Sequence, residues 1–506
     1  MSGERVPIPG TERQIWPNSR HAESLGADVD VRLTAWLRPR PGGTIDVGGA
    51  RTLGATLPAG RTYTDRKTFA RQTGADPADV DLLRRYCESF ELTVCASHWR
   101  SVDIAGPIER MIHAFGATVA VFEDAGKRRF RHRSRALHVP PDIAAVVSGI
   151  FGLHQWPRSR KIATLERHAT PLLAAQVARR YRFPDADGSG RTIGILQLRG
   201  RFQTNDFDQC MAAQGVTPGQ PIVKRVDGAA VEREHATTKD LEAALDVQII
   251  ASLAPGARIV VYEAPDDERG FLDAVRDALF DEEYAPSVLS VSYGWPEHLW
   301  TPVALNVLDD LLAAAAFLGV SVLCSSGDNG AELDYDGVPH VLAPASSPFA
   351  MACGATVIPS DGAPERAWEQ TGGGFSERFE VPVWQDAARA AGAYYGVPPG
   401  RGVPDVAAQQ SPGYYVVMNG VELAIGGTSA VAPVWSALVA RIHQRLGFAP
   451  GFFLPILYAQ SGDALFGAVT EGSNGRYEAA AGWNPCTGLG VPNGLAIETA
   501  LRGTAR

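Results

Sequence analysis

The sequence predicts an α/β protein: a large domain built on a parallel sheet with helices on both faces, preceded by a small α+β domain. Two observations carry this. From residue 192 onward, strand-like runs at 192–198, 221–226, 258–263, 288–292 and 320–325 alternate with helical runs at 206–213, 238–253, 270–280 and 303–318. Ahead of residue 154 the order is instead β-α-β-β-α-β, a split-βαβ pattern suited to a compact antiparallel sheet. The chain's 506 residues, 45% hydrophobic and 20% charged, supply ample core for both.

Residues 1–28 are polar and contain Pro and Gly, which suits an extended arm. Val29, Val31, Leu33, Ala35 and Leu37 then alternate along a strand. Asp76-Pro77 reads as the N-cap and first residue of a helix running to about Phe90. Strands follow at 92–94 and 101–104, then a helix from about Pro107 that ends at Gly116. A hairpin over 118–123 and 128–133 closes this ferredoxin-like α+β unit, placed within residues 1–153. Residues 154–170 change character. His154-Gln155-Trp156-Pro157-Arg158-Ser159-Arg160-Lys161 is a basic, Pro-containing linker and a natural place for a proteolytic nick. The parallel-sheet domain fills residues 171–506.

Composition excludes several classes. The chain has no uncharged apolar run of membrane-spanning length, and residues 311–324 read as a buried helix running into a strand. Met1-Ser2-Gly3-Glu4-Arg5-Val6-Pro7 lacks the apolar segment of a Sec-type signal. The six cysteines form no CxxC and no zinc spacing with histidine, and Cys324 and Cys353 sit in core-like runs. Net charge is −9, with a basic excess ahead of the linker and an acidic excess after it. Two such parts attract each other near neutral pH. The run Lys127-Arg128-Arg129-Phe130-Arg131-His132-Arg133 therefore reads as the charged face of a docking domain, not as a nucleic-acid track. No nucleic-acid or membrane partner is expected, and the chain is expected to be a monomer.

The stretch Gly426-Gly427-Thr428-Ser429-Ala430-Val431-Ala432-Pro433 joins an extended run to a helical one. The glycines permit a sharp bend, and the helix N-terminus favours a serine that loses its proton. Pro433 is expected within the first turn, where N–H groups lack intrahelical partners. Taken alone, the stretch is a glycine turn before a serine-capped helix. Partners for the serine come from two places. Glu242 and Asp246 lie four apart, on one face of a helix that is apolar nearly all round. Two carboxylates there are costly unless they share a proton or hydrogen bonds. Asp328 sits in Ser325-Ser326-Gly327-Asp328-Asn329-Gly330, at the carboxyl end of a strand, where such sheets place their active sites. Its Gly327-Asp328-Asn329-Gly330 portion is also ordinary turn material. The loops 372–376 and 346–348 are candidate cleft walls. None of the 11 histidines precedes glycine, His235 reads as a loop residue, and the serine lacks the Gly-x-Ser-x-Gly elbow of an esterase.

Glu242-x-x-x-Asp246, Ser-Gly-Asp328 and Gly-Thr-Ser429-Ala-x-x-x-Pro433, in this order, resemble the sedolisin family of serine-carboxyl peptidases, in its kumamolisin-like form. Further matches are Val6-Pro7-Ile8-Pro9-Gly10, Ala169-Thr170-Pro171, Ser292-Tyr293-Gly294, Val403-Pro404-Asp405-Val406 and the segment 482–490. The resemblance implies a subtilisin-like fold behind a prodomain that acts as an intramolecular inhibitor. It implies Ser429 as nucleophile, Glu242 as general base and acid, Asp246 as its orienting partner and Asp328 as the oxyanion-hole donor. The implied protein is a secreted, self-activating, acid-acting endopeptidase on protein or peptide substrates. The alternatives are a tripeptidyl-peptidase of the same family and a non-catalytic binding protein on the same fold. The family's calcium site uses two aspartates, and at those positions this chain has Ala468 and Asn484. Calcium relies on anionic oxygens, so a weakened or absent site is expected, with Asp463 or Glu471 as conceivable substitutes and no cofactor required. Tyr293 replaces the tryptophan of some relatives beside the carboxylates.

Overall fold

The structure, a computed structural model, describes residues 4–13, 19–23, 29–124, 127, 129–155, 164–165, 170–226, 238–331, 338–359, 363–462 and 464–503. Most of the linker, His235 and Asp463 lie outside the described residues. Seven strands run parallel in one sheet: β1 (Thr192–Leu198), β2 (Ile222–Arg225), β3 (Arg258–Ala264), β4 (Val288–Val291), β5 (Ser321–Ser325), β6 (Met351–Val357) and β7 (Val406–Ser411). Their order is β2-β3-β1-β4-β5-β6-β7, and the short strand Arg366–Ala367 adds an antiparallel edge on β6. β1, β4 and β5 are buried along their whole length, as a sheet covered on both faces requires. The cover comes from α1 (Thr204–Gln214), α2 (Thr238–Leu253), α3 (Glu268–Phe280), α4 (Pro302–Phe317) and α5 (Thr428–Leu446). α2 packs on α5, and α3 packs on α4. No helix among the described residues is long and apolar enough to cross a membrane.

The N-terminal unit has a four-stranded antiparallel sheet in the order Thr93–Ser97, Ser101–Pro107, Asp30–Leu37, Val147–Phe151. The helix Pro77–Glu88 starts as expected, with the Asp76 carboxylate accepting from the Ala78 N–H. The helix Ile108–Phe115 ends on Gly116 at φ 55°, the left-handed conformation that glycine tolerates. One expectation needs correcting. The hairpin Thr118–Glu123/Arg129–Ser134 does not close this sheet. It pairs instead with Arg20–Glu23 in a separate three-stranded sheet, and Val147–Phe151 takes the closing place. Val147–Phe151 directly follows the short helix Pro141–Val146, and the continuous apolar run hides the boundary between them.

Two further helices, Val47–Ala55 and Arg66–Thr73, escape the sequence pattern. Each is capped by an aspartate, Asp46 and Asp65, and both pack on the large domain. A Cβ on Gly54 would meet the Phe452 ring at 2.4 Å, so only glycine allows that close approach. The Arg66 guanidinium donates to the Leu279 and Pro286 carbonyls, both at 2.7 Å. Trp99 stacks on Phe280 with centroids 4.9 Å apart, and Phe69 lies against Phe280 and Phe317. Trp36, Phe69 and Trp99 therefore belong to the large core, while Leu33, Leu83, Ile104 and Phe115 form a separate smaller one.

Charge follows the expected direction across this interface. Arg13 meets Glu268 at 2.5 Å, and Arg100 meets Asp310 at 2.7 Å. The basic hairpin is used internally: Arg131 donates to the Gly152 and Leu153 carbonyls, and burial lowers it to about 10. Trp99→Ala, which empties the stacked pocket, is expected to weaken docking by about 3 kcal/mol. Limited proteolysis of the full-length chain at neutral pH reads this as faster loss of the N-terminal unit, and unchanged resistance would contradict it.

Candidate active site

Ser429 is the second residue of α5, a helix that starts directly after Gly427, whose φ of 105° sets the sharp entry foreseen in the sequence. Pro433 departs from expectation. It lies one full turn inside the helix, beyond the orphan N–H groups. Lacking an N–H, it leaves the Ser429 carbonyl without its intrahelical donor. The Ser292 hydroxyl supplies the replacement, 3.3 Å from that oxygen.

Ser292 stands just past the end of β4 and also lies 2.8 Å from Asp246 Oδ1. One hydroxyl carries one proton, so it cannot donate to both acceptors at once. The conflict disappears when Asp246 is protonated: the acid donates to Ser292, and Ser292 donates to the carbonyl. The electrostatics agree. Burial pushes Asp246 well above the usual carboxylate range, and the nearby Glu242 charge pushes it further. Burial also raises Glu242, against a hydrogen bond with the Ser429 side chain that favours its ionised form. Both carboxyls are buried, and Glu242 Oε1 and Asp246 Oδ2 have no hydrogen-bond partner among the described residues. The pair titrates as a unit.

Asp328 comes from the loop after β5. Its Oδ1 accepts from the Thr428 N–H at 2.8 Å and the Thr428 hydroxyl at 2.6 Å. The Gly327 N–H donates to that hydroxyl in turn, at 3.1 Å. Asp328 Oδ2 is buried without a partner among the described residues, and burial raises the group well above the usual range. The favoured state is a neutral carboxyl with one oxygen saturated and a proton on the other. The Ser429 hydroxyl is 3.3 Å from the Ser292 carbonyl oxygen.

All four expected residues therefore converge: α2 brings Glu242 and Asp246, the β5 loop brings Asp328, and α5 brings Ser429. The loop 372–376 adjoins them, since the Gly372 N–H donates to the Gly327 carbonyl at 2.7 Å. In the loop 346–348 the Ser347 hydroxyl donates to Asp309 on α4 at 2.8 Å. Tyr293 is buried near Glu242 and Asp246 and accepts from Gln197 Nε2. Sequence reasoning gave Ser292 and Thr428 no site role. A serine at the carboxyl end of a central strand, and Pro433 in the helix that follows Ser429, were the available signals.

The segment implied to hold calcium has a different chemistry. Asn484 Oδ1 already accepts from the Cys486 N–H (3.0 Å), the Thr487 N–H (2.9 Å) and the Thr487 hydroxyl (3.2 Å). Its Nδ2 donates to the Ala480 carbonyl at 2.9 Å. Ala468 offers only a methyl group. A saturated neutral amide and a methyl do not fit a cation that takes six to eight oxygens.

Comparison with known proteins accords with this architecture. Residues 58–156 match the family described as pro-kumamolisin, activation domain. The chain is 36% identical to kumamolisin from Bacillus sp. (strain MN-32) over 534 aligned residues, covering 98% of this chain and 96% of that protein. It is 30% identical to tripeptidyl-peptidase 1 from Bos taurus, covering 72% of each. Among solved structures, Pseudomonas sedolisin, a serine-carboxyl proteinase complexed with pseudo-iodotyrostatin, aligns with a TM-score of 0.57 and 25% identity over 66% of this chain and 99% of that one. Fold and relatives together define a serine-type peptidase with an activation domain. The chain belongs to the sedolisin family and is kumamolisin-like within it.

Ser292→Ala removes the link between Asp246 and the Ser429 carbonyl. It is expected to destabilise the fold by about 1–3 kcal/mol, read as a lower Tm, because a buried carbonyl and a carboxyl lose their partner.

Proposed function

We propose that the chain is an acid-acting endopeptidase zymogen in which Ser429, Glu242, Asp246 and Asp328 carry the chemistry. Residues 1–153 are its arm and prodomain, 154–170 its activation linker and 171–506 its peptidase domain. The observation that supports this best is the setting of Asp328: Thr428 saturates one oxygen, and the other is buried with no partner among the described residues, where burial favours the protonated form that can donate to the oxyanion.

The Glu242–Asp246 pair, after losing its first proton, holds one shared negative charge. Glu242 uses it to take the Ser429 proton as Oγ adds to the scissile carbonyl carbon. The Asp328 proton hydrogen-bonds the tetrahedral oxyanion, a task that commonly falls to backbone N–H groups. Glu242 then delivers its proton to the departing amine as the C–N bond breaks. Water repeats the cycle on the acyl-enzyme. Asp246 holds Glu242 in place and is itself held by Ser292.

The pH dependence follows from sign. Asp328 has a raised pKa, so its donor is present in acid and is lost as pH rises through that value. Opening the site to water reduces the desolvation that raises Asp328 and the Glu242–Asp246 pair alike, which brings the loss of the donor towards neutrality and the ionisation of the base into acid. Activity at about pH 4 is expected to exceed activity at about pH 7.5. Asp328→Ala is expected to lower kcat roughly 100-fold to 1,000-fold with little change in KM. Equal rates at the two pH values would refute the assignment.

Acid also loosens the prodomain. Burial pushes Asp103 up, but its hydrogen bond with His98 and the facing Arg276 outweigh burial and hold it below the usual range. Its contribution to docking is therefore lost as pH falls. Asp273 works in the opposite sense: burial raises it to about 6, so its protonation favours the docked state below that pH. Release depends on Asp103 outweighing Asp273. In acid, Ser429→Ala is expected to stay full length while the parent chain cleaves itself.

Calcium is not required in this reading, because the Asn484 amide and its hydrogen bonds hold the loop. Chelator is expected to leave Tm unchanged. The double change Ala468→Asp and Asn484→Asp is expected to create a calcium-dependent Tm. Unfolding of the parent chain by chelator would overturn this.

A further inference from the structure

The N-terminal unit grips the large domain at both ends of the parallel sheet, with different chemistry at each. Helices α3 and α4 leave the carboxyl ends of β3 and β4 and run back to the opposite end, as crossovers between parallel strands do. Their first turns carry the contacts at the catalytic end. The Val303 N–H on α4 donates to the Gly10 carbonyl at 3.2 Å, and Glu268 on α3 meets Arg13. Arg133 and Glu12 lie near that pair. Further along α3, Asp103 of the N-terminal unit bonds His98 and faces Arg269 and Arg276, and the Thr34 hydroxyl bonds Asp273 at 2.8 Å.

The far ends of the same helices are held by the segment 46–73. The Thr64 N–H donates to the carbonyl of Phe317, the last residue of α4, at 3.0 Å. Arg66 donates to the Leu279 carbonyl on the last turn of α3 and to the Pro286 carbonyl ahead of β4. Arg61 donates to the Phe452 carbonyl at 2.7 Å and to that of Pro450, while the Gly54 and Thr56 carbonyls accept from it at 2.9 and 2.7 Å. The Tyr63 hydroxyl lies 3.1 Å from the Ala449 and Pro450 carbonyls. Its side chain fills a slot so narrow that a Cβ on Gly319 or Gly451 would come within 2.9 or 2.4 Å of it. Residues 449–452 follow α5, whose 19 residues set them about 28 Å from the Ser429 end.

Arg61 and Arg66 thus spend their hydrogen bonds on main-chain carbonyls and the Tyr63 hydroxyl. Among the described residues neither forms an ion pair, although Tyr63 faces Arg61, and Tyr262, Asp281 and Glu282 face Arg66. A guanidinium keeps its charge in acid, and an amide carbonyl takes up no proton there. Asp103 differs, because its share of docking is lost as pH falls. We propose that residues 46–73, and the surface that receives them at 449–452, at the α4–β5 turn and at the end of α3, form a second docking surface for the prodomain that acid does not release. Acid then opens the zymogen at the catalytic end, and the far end stays joined as a hinge. This rests on the loosening read from Asp103 and not on the identity of the nucleophile. The joined end keeps the opened prodomain at high effective concentration, so a return to neutral pH closes the site again.

The two N–H groups that bond between the domains, Val303 at one end of α4 and Thr64 at the other, report the order of opening. The test measures hydrogen exchange of full-length Ser429→Ala at about pH 7 and about pH 4, expressed as protection factors so that the intrinsic effect of pH divides out. In acid the Val303 protection is expected to fall roughly tenfold more than that of Thr64. Equal loss at both amides shows the prodomain leaving as one body and overturns the proposal. No loss at either overturns the acid loosening, and the proposal with it. Adding Arg61→Ala is expected to lower Thr64 protection about tenfold at neutral pH while Val303 stays protected, which shows the variant folded. Tyr63→Phe, which removes only the hydroxyl, is expected to change Thr64 in the same direction by less. Thr64 protection untouched by both substitutions overturns the anchor. Fragments from Ser429→Ala in acid would count against the nucleophile alone, since the same two amides still report the anchor.

Discussion

Three carboxyl groups buried around one helix tip are the constraint on which the rest of the structure depends. Ionised carboxylates in an apolar core cost several kcal/mol each unless paired or coordinated. Among the described residues no cation contributes to their electrostatics, and burial favours their protonated forms. The pattern of donors and acceptors reflects that. The Thr428 N–H and hydroxyl saturate one oxygen of Asp328. Ser292 stands between Asp246 and the carbonyl that Pro433 leaves unserved. A proline inside a helix and a buried acid, each unfavourable alone, are reconciled by one serine hydroxyl.

The parallel sheet explains why these groups meet. β4 and β5 are neighbours, and their carboxyl ends deliver Ser292 and the Asp328 loop to the same side. α5 starts there, with α2 packed along it. The same α2 carries Gln248, whose side-chain amide bonds Val417 in the hairpin Tyr414–Met418/Val421–Gly426. One helix thus carries two of the buried carboxyls and fastens the hairpin that leads into Ser429.

The domain interface mixes two kinds of force. Trp99, Phe69 and Phe280 supply apolar contact that pH does not alter. Asp103, Asp273 and their arginines supply terms that respond to pH with opposite signs. The apolar part favours a closed zymogen under all conditions, and the charged part sets where in the pH range it loosens.

Much was legible in the chain itself. Strand–helix alternation named the parallel sheet, Asp76-Pro77 named a helix start, and the spacing of Glu242 and Asp246 put both on one helical face. Those features are local, because backbone propensity and period act over a few residues. The placing of Val147–Phe151 at the sheet's edge was not local, since an apolar run is equally good helix or strand until a neighbour offers a free edge. The glycine-rich helix Val47–Ala55 likewise becomes intelligible only against Phe452. Tertiary structure alone decided that Pro433 would need Ser292 and that Thr164–Leu165 would lie beside Gly426. Each of these joins atoms far apart in sequence, and hydrogen bonding across such distances is settled by which groups the packed sheet leaves unpaired.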